Sequence, residues 1–524
     1  MLGPQLHTPF PGWSAGRARL TLNQDKRRRF DSYPGSVSTP NGITVIVLAA
    51  GGGTRMKSKT MKVLHPLAGR SMLGHVLSAV ASLEPRRVVA VVGHQREQVG
   101  PHVQELLPGA VLAVQESQDG TGHAVRVAWE ALDAADRSGT VLVAYGDTPL
   151  LEGESLRAFA EDHVAAGRGV SILSGVVAQP FGYGRVLRDS SGAVTGIVEQ
   201  KDASPEQAAV NEINSGILAF DADFLDSALP RLTNQNANGE YYLTDTVTLA
   251  REDGLVVGAF AIDDVLQTEG ANDRVQLASL AKEKNRRILD GWMRAGVTVV
   301  DPETTWIDAD VRLERDVTIL PGVQLLGATV VAEDAVVGPD TTLKDVEVGA
   351  GATVVRTHAE LAVIGAGATV GPFSYLRPGT ELGERGKIGA FVETKNARIG
   401  EGAKVPHLSY VGDAEIGEGT NIGAGTIVAN YDGVHKHRTV IGRHARTASN
   451  NTFVAPVNVG DGAATGAGST IREDVPPGAL AVSAGPQRTI EGWTERRRPG
   501  TKQAEAAQQA RSGEGHGEPG PDPT

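Results

Sequence analysis

The 524-residue chain is 40% hydrophobic and 21% charged, with 65 glycines, 4% aromatic residues and a formal charge of −12. This length implies two or three soluble globular domains. The acidic balance excludes general nucleic-acid binding, and the absence of cysteine excludes disulfides and thiolate chemistry.

Residues 1–42 hold a basic patch, Lys26-Arg27-Arg28-Arg29, but no apolar run of signal-peptide or membrane-spanning length. They read as a disordered extension whose patch is a solvated tail or a polyanion contact. Without an export signal, the expected compartment is the cytoplasm. From Ile43 to Met56 the chain reads ITVIVLAAGGGTRM. A β-branched run that breaks into Gly51-Gly52-Gly53 puts a tight turn at a strand end, where backbone N–H groups can face phosphate oxygens. Arg55 adds a permanent charge beside them. No Lys-Ser/Thr follows at P-loop spacing, and Met56 stands where a dinucleotide fingerprint needs its third glycine. Helical spacing over Ser71–Leu83 and Gly122–Ala135 alternates with apolar runs at Val88–Val92 and Val141–Ala144. This alternation makes 43–272 an α/β domain with a mostly parallel sheet. Ligands bind beyond the carboxyl ends of such strands, so Gly51–Arg55 and Tyr145-Gly146-Asp147 are expected in one crevice.

Residues 273–296 read as a linker helix, charged and helical from Val275 to Ala295. The pattern then changes. An aliphatic residue before glycine recurs at Val337-Gly338, Val348-Gly349, Ile364-Gly365, Ile388-Gly389, Ile399-Gly400, Ile416-Gly417, Ile441-Gly442 and Val459-Gly460, often near multiples of six. This is the hexapeptide signature of a parallel β-helix, placed at 297–494. The aliphatic residue fills the interior and the small residue permits the corner. Asn430–Arg438 (NYDGVHKHR) interrupts the repeat, and is expected to protrude as a functional loop. Residues 495–524 lack apolar periodicity and read as a disordered tail.

The first half carries, in order, Lys62 in MKVLH, Gln115 and Gln118 ahead of Gly120-Thr121-Gly122-His123, then Tyr145-Gly146-Asp147 and Gly182-Tyr183-Gly184-Arg185. Glu199-Gln200-Lys201-Asp202, Glu212-Ile213-Asn214-Ser215-Gly216 and Asn272 complete the series. This order resembles the sugar-1-phosphate nucleotidyltransferases. With the hexapeptide half, Ile43 to Trp493 is similar to the bacterial bifunctional N-acetylglucosamine-1-phosphate uridylyltransferase/glucosamine-1-phosphate N-acetyltransferase family. The resemblance implies a Rossmann-like α/β nucleotidyltransferase domain followed by a left-handed parallel β-helix.

It also implies residue roles. Leu48, Ala49, Ala50 and Gly51 would lie against the nucleotide, and the loop amides with Arg55 would hold the triphosphate. Lys62 would neutralise charge building on the α-phosphate. Gln115 and Gly120-Thr121 would read the uracil edge. Tyr145, Gly146 and Asp147 would line the nucleotide site, with Asp147 and Asn272 holding Mg²⁺; read alone, Asp147 is more often a helix cap. Gly184, Glu199 and Asn214 would contact the sugar. Two residues depart from the family pattern: Met61 where proline is common before the lysine, and Asp119 where an apolar residue is common. The carboxylate is expected to weaken nucleotide binding slightly.

In the second half the resemblance makes His407 the general base, and Glu393 is placed to orient its imidazole. Arg377 and Lys395 would bind the sugar phosphate, and Tyr410 and Asn421 the sugar. Ala424, Asn430, Tyr431, Ser449 and Ala467 would line the acetyl-CoA path. Ala484 stands where some relatives carry a CoA-contacting arginine, with Arg488 or another cation as its replacement. The implied function is UDP-N-acetylglucosamine synthesis for cell-wall precursors: acetyl transfer from acetyl-CoA to glucosamine-1-phosphate, then Mg²⁺-dependent uridylyl transfer from UTP. A homotrimer is implied, with no nucleic acid and no membrane as partner. Two rivals stay open: a single-activity nucleotidyltransferase with a structural or regulatory β-helix, and a non-catalytic assembly protein.

Overall fold

The computed structural model describes residues 42–483 and 485–513. The expected disordered extension up to residue 41, with its basic patch, Ala484 and the last eleven residues lie outside them. The chain forms two compact units, one ending at Arg385 and one starting at Gly386.

The first unit opens with β1 (Thr44–Leu48), β2 (Arg87–Val92), β3 (Val111–Val114), β4 (Thr140–Tyr145) and β5 (Val170–Val176). They are followed by β6 (Gly184–Arg188), β7 (Val194–Val198), β8 (Glu212–Asp221) and β9 (Val257–Ala261). The sheet order is β9-β5-β8-β4-β1-β2-β3, with β6 and β7 branching from β8. β1 runs parallel to both β2 and β4, while β8 runs antiparallel to β4 and β5. The central strands are apolar on both sides because each side meets a separate core. Val45, Val47 and Leu77 lie in one core, and Ile46, Val89 and Val125 in the other. Helix α1 (Met72–Ala81) starts where the Ser71 hydroxyl accepts the Gly74 N–H at 2.8 Å. Helix α2 (Thr121–Glu130) starts just after Gly120. The parallel strands β1 and β4 end together, so the glycine loop after β1 and the Gly146-Asp147 turn after β4 open on the same edge.

Helix α3 (Arg274–Arg294) follows, capped by Asp273, whose carboxylate accepts the Val275 and Gln276 N–H groups at 2.9 Å. Buried Asn285 on α3 donates to the Thr305 carbonyl at 2.8 Å and accepts the Ile307 N–H at 3.0 Å. One side-chain amide thereby satisfies two backbone groups at the start of the coil. Beyond it the strands are two to four residues long and all parallel. Thr318 pairs with Val336, Gln324 with Thr342 and Arg312 with Val330. Each pair is eighteen residues apart, or three hexapeptides, so one coil has three sides. Ile319, Val337, Val354 and Val370 stack down the interior, all buried. Each contributes about 1.5–3 kcal/mol of burial.

The second unit repeats this plan. Ile388 and Val405 form one interior column, and Ile399, Ile416, Ile441 and Val459 another. A Cβ on Gly417 would lie 2.5 Å from the backbone nitrogen of Arg443 on the next coil. The glycine after the aliphatic residue therefore allows close approach between coils. Asn430–Arg438 leaves the coil as expected, with Tyr431 60% and Val434 76% exposed. Inside the loop, Asp432 accepts the Val434 and His435 N–H groups at 2.7 and 2.6 Å and meets His437 Nε2 at 2.7 Å. These hydrogen bonds hold the Asp432 carboxyl near pKa 2.

The reading of 495–524 as disordered is corrected over its described part. Trp493–Arg497 and Lys502–Ser512 are helical. The second helix is rich in Ala and Gln, is capped by the Thr501 hydroxyl and ends at Gly513 with φ 76°. Strong formers and two caps make a helix without apolar periodicity. Among the described residues no helix is long and apolar enough to cross a membrane.

Candidate active sites

The glycine loop passes through Gly53 at φ 58°, where a Cβ would sit 2.5 Å from the Lys62 Cβ. The loop can therefore pack directly on the lysine. Lys62, on the 3-10 turn Lys62–Leu64, aims its ammonium at Asp147 Oδ2 in a close ion pair and at Asn272 Oδ1, 3.2 Å away. Three distant segments of the chain meet at this point. The Asp147 and Lys62 side chains are 18% and 14% exposed, enough shelter for the charges to act strongly while still reachable. Arg55 is exposed on the same loop.

Beside this centre lies a cavity of about 230 Å³ lined by Thr121, Tyr145, Glu199 and Asn214, all expected site residues. Gly216 has φ 87°, and a Cβ there would strike the Tyr145 ring. Burial, then Asp147 and Glu199, pushes the Tyr145 phenol upward, so it stays a neutral donor. Burial also raises the Glu199 carboxyl, against the Thr244 hydroxyl, which lowers it. Gly184 packs against that carboxylate: a Cβ there would lie 3.3 Å from Glu199 Oε1.

A second, more open cavity of about 630 Å³ is lined by Gly52, Gln115 and Gln118 together with His94, Gln95 and Arg96. Gln115 is buried and donates to the Gly120 carbonyl at 3.2 Å, while Gln118 donates to the Ala50 carbonyl at 2.8 Å. The glutamine segment is thus tied to both the glycine loop and the Gly120 turn. Asp119 accepts the Ser117 hydroxyl at 2.5 Å and lies 3.6 Å from His123, which keeps this unexpected carboxylate within its own turn. Met61 uses the amide that a proline would lack, donating to Gln98 Oε1 at 3.4 Å.

Sequence reasoning missed the segment 238–244. Asn238, Glu240, Tyr242 and Thr244 line the smaller cavity. The segment folds back on the Gly120 turn: Tyr241 N–H donates to the Asp119 carbonyl and Gly122 N–H to the Tyr241 carbonyl, each at 2.8 Å. The available signal was the pair Tyr241-Tyr242 in a chain with eight tyrosines.

In the second unit, His407 ends the strand Lys404–His407 and is exposed. Gly425 N–H donates to the His407 carbonyl, Asn450 N–H to that of Ala424 and Gly468 N–H to that of Ser449. His407, Ala424, Ser449 and Ala467 therefore stack on successive coils, about 4.8 Å apart. Asn421 bridges Lys404 on the neighbouring coil, three residues before Ala424. Glu393 pairs in register with Tyr410, and Lys395 with Gly412. Asn430 is buried at the root of the protruding loop, and Tyr431 is exposed on it. Arg377 follows the strand Ser374–Leu376 in the first unit.

A mixed sheet with a lysine–aspartate centre at its strand ends, followed by a hexapeptide coil with a histidine column, defines a nucleotidyltransferase joined to a parallel β-helix. Residues 45–208 match the MobA-like NTP transferase domain. The chain is 59% identical to the bifunctional protein GlmU of Pseudarthrobacter chlorophenolicus, over 89% of this chain and 95% of that relative. It is 60% identical to GlmU of Rhodococcus jostii over 89% and 95%, and 59% identical to GlmU of Thermobifida fusca over 91% and 99%. The chain belongs to the bifunctional GlmU family. It has both activities of UDP-N-acetylglucosamine synthesis, acetyl transfer and uridylyl transfer, and its substrates include UTP and acetyl-CoA.

Proposed function

We propose that residues 43–272 carry uridylyl transfer, 297–494 carry acetyl transfer, and 273–296 connect them. The observation that carries this division is the Lys62 ammonium held between Asp147 and Asn272 at the strand ends, beside the glycine loop. Asp147 and Asn272 would hold Mg²⁺. Their oxygens already converge on a cation, and an all-oxygen donor set suits a hard ion that keeps waters and phosphates as its other ligands. Among the described residues no cluster of three metal-binding side chains competes for it. When bound, Mg²⁺ would neutralise triphosphate charge.

In uridylyl transfer, a phosphate oxygen of N-acetylglucosamine-1-phosphate bonds to the α-phosphorus of UTP. The bond to the bridging oxygen breaks in line, and pyrophosphate leaves. Leu48 to Gly51 back the nucleotide, Arg55 and the loop amides hold the triphosphate, and Lys62 stabilises the charge on the α-phosphate. Gln115, Gly120 and Thr121 read the uracil. Tyr145 and Gly146 wall the site, and Gly184, Glu199 and Asn214 position the sugar.

In acetyl transfer, the amine of glucosamine-1-phosphate bonds to the thioester carbonyl carbon. His407 takes the amine proton, the C–S bond breaks, and CoA leaves. Arg377 and Lys395 hold the phosphate, Glu393 orients His407, and Tyr410 and Asn421 hold the sugar. The column of Ala424, Ser449 and Ala467, with Asn430 and Tyr431, guides acetyl-CoA. The enzyme acts as a cytoplasmic homotrimer.

Two substitutions test the division. Asp147→Ala abolishes Mg²⁺-dependent pyrophosphate release and spares CoA release; His407→Ala does the reverse. Loss of both activities in either variant contradicts the assignment. Light scattering that gives a mass other than three chains rejects the trimer.

A further inference from the structure

Asp413 takes no part in the scheme above, yet it sits at its edge. Its backbone adopts φ 50°, at the corner of the strand Tyr410–Ile416. Asn396 is its neighbour on the preceding coil, between the paired residues Lys395↔Gly412 and Ala397↔Ala414. Asn430 is its neighbour on the following coil, where Tyr410 pairs with Ile427. Three polar side chains thus stack on successive coils. The middle carboxylate accepts an amide N–H from each side, from Asn396 Nδ2 at 2.7 Å onto Oδ1 and from Asn430 Nδ2 at 2.5 Å onto Oδ2.

The polarity of this stack is set by chemistry. An ionised carboxylate only accepts, so both asparagines must turn their NH₂ groups toward it. Asn430 is 7% exposed, and its backbone carbonyl already accepts the His437 N–H at 2.8 Å. With Nδ2 turned onto Asp413, the side-chain oxygen Oδ1, which is an acceptor, faces away from that carboxylate. The tyrosine packs on the same spot. A Cβ on Gly412 would collide with the Tyr410 hydroxyl and lie 2.9 Å from Asn430 Nδ2. The missing side chain at Gly412 therefore lets Tyr410, Asp413 and Asn430 meet.

We propose that Asp413 is a positioning residue for acetyl transfer: it locks the Asn430 amide with its oxygen outward, as an acceptor for an N–H of the attacking amine. This rests on the reading that Asn430 borders the acetyl-transfer site. An amine that must lose a proton while attacking a carbonyl gains from an acceptor that also fixes its direction of approach. Because the charge-assisted bond anchors the root of the Asn430–Arg438 loop, the same carboxylate sets where that loop leaves the coil.

Asp413→Asn keeps the size and removes the polarity. An amide at 413 offers one acceptor and one donor, so one neighbouring asparagine must flip or lose its partner. Steady-state acetyl transfer is measured for Asp413→Asn, Asn396→Ala and Asn430→Ala, with uridylyl transfer and Tm recorded for each. The expected result is a fall in acetyl-transfer kcat of about tenfold or more for Asp413→Asn. Its uridylyl transfer and its Tm stay near those of the parent. Asn396→Ala, which leaves the Asn430 bond in place, stays near the parental rate. Two results overturn the proposal: a parental kcat in Asp413→Asn beside an impaired Asn430→Ala, or equal losses in Asp413→Asn and Asn396→Ala, which mark a stack that matters only for folding. A fully active Asn430→Ala removes the underlying reading of Asn430, and the positioning role falls with it.

Discussion

In the proposed division, Lys62 is the residue on which uridylyl transfer turns. Its ammonium has two oxygen partners from distant segments, so it is aimed rather than merely exposed. Removing a donor aimed at developing charge typically costs about 10²–10³-fold in kcat. Lys62→Ala is expected to lose that much in pyrophosphate release while retaining CoA release. Glu199 supports a second prediction, of opposite character. Burial raises its folded-state pKa above the ordinary carboxylate value, so the folded protein binds this proton more tightly than the unfolded chain. Below the unfolded pKa the group costs nothing. As pH rises through the raised pKa, the buried charge opposes folding. Glu199→Gln lacks that penalty, so its Tm should match the parent below the unfolded carboxylate pKa and exceed it by a constant margin once the pH is above the raised pKa. Its KM for N-acetylglucosamine-1-phosphate should rise at the same time. Tm measured against pH, alongside sugar-phosphate titrations, checks both directions.

Elements explain why some of the site was legible in the sequence and some was not. The glycine loop and the hexapeptide period are local signals, because turn chemistry and interior filling act over a few residues; Lys62 and Asp147 are singled out by the family resemblance, since a lone lysine or aspartate carries no such signal. The strands at Val88–Val92 and Val141–Ala144 were readable for the same reason: a strand buried on both sides is apolar throughout. The segment 238–244 was not readable. Its place on the Gly120 turn depends on backbone hydrogen bonds spanning more than a hundred residues, made by atoms every residue has. The Asn396–Asp413–Asn430 stack was hidden differently. These residues align only once each coil has its true length, because they recur every 17 residues and not at the 18 of three hexapeptides. The helix in the tail was missed because propensity and caps, rather than apolar spacing, form it. One coil element yields a direct test. Gly417→Ala places a methyl against the backbone of the next coil. Overpacking of this kind costs about 1–3 kcal/mol. A lower Tm is expected, with uridylyl transfer at moderate temperature unchanged; an unaltered Tm would show that the coils have slack.

At the scale of the whole molecule, two chemistries with different needs share one chain. Uridylyl transfer depends on charge neutralisation around a triphosphate, and acetyl transfer on a base and an aligned thioester. Chelation with EDTA should therefore stop pyrophosphate release and leave CoA release running, and added Mg²⁺ should restore the first. The central claim is that Lys62 and His407 serve separate reactions that meet only through a diffusible product. The most direct test is a mixing experiment with glucosamine-1-phosphate, acetyl-CoA, UTP and Mg²⁺, following UDP-N-acetylglucosamine. Alone, Lys62→Ala should release CoA without forming UDP-sugar, and His407→Ala should form UDP-sugar only from added N-acetylglucosamine-1-phosphate. Mixed, the two variants should convert glucosamine-1-phosphate to UDP-N-acetylglucosamine. A mixture that forms none, although both proteins are folded, would contradict the account.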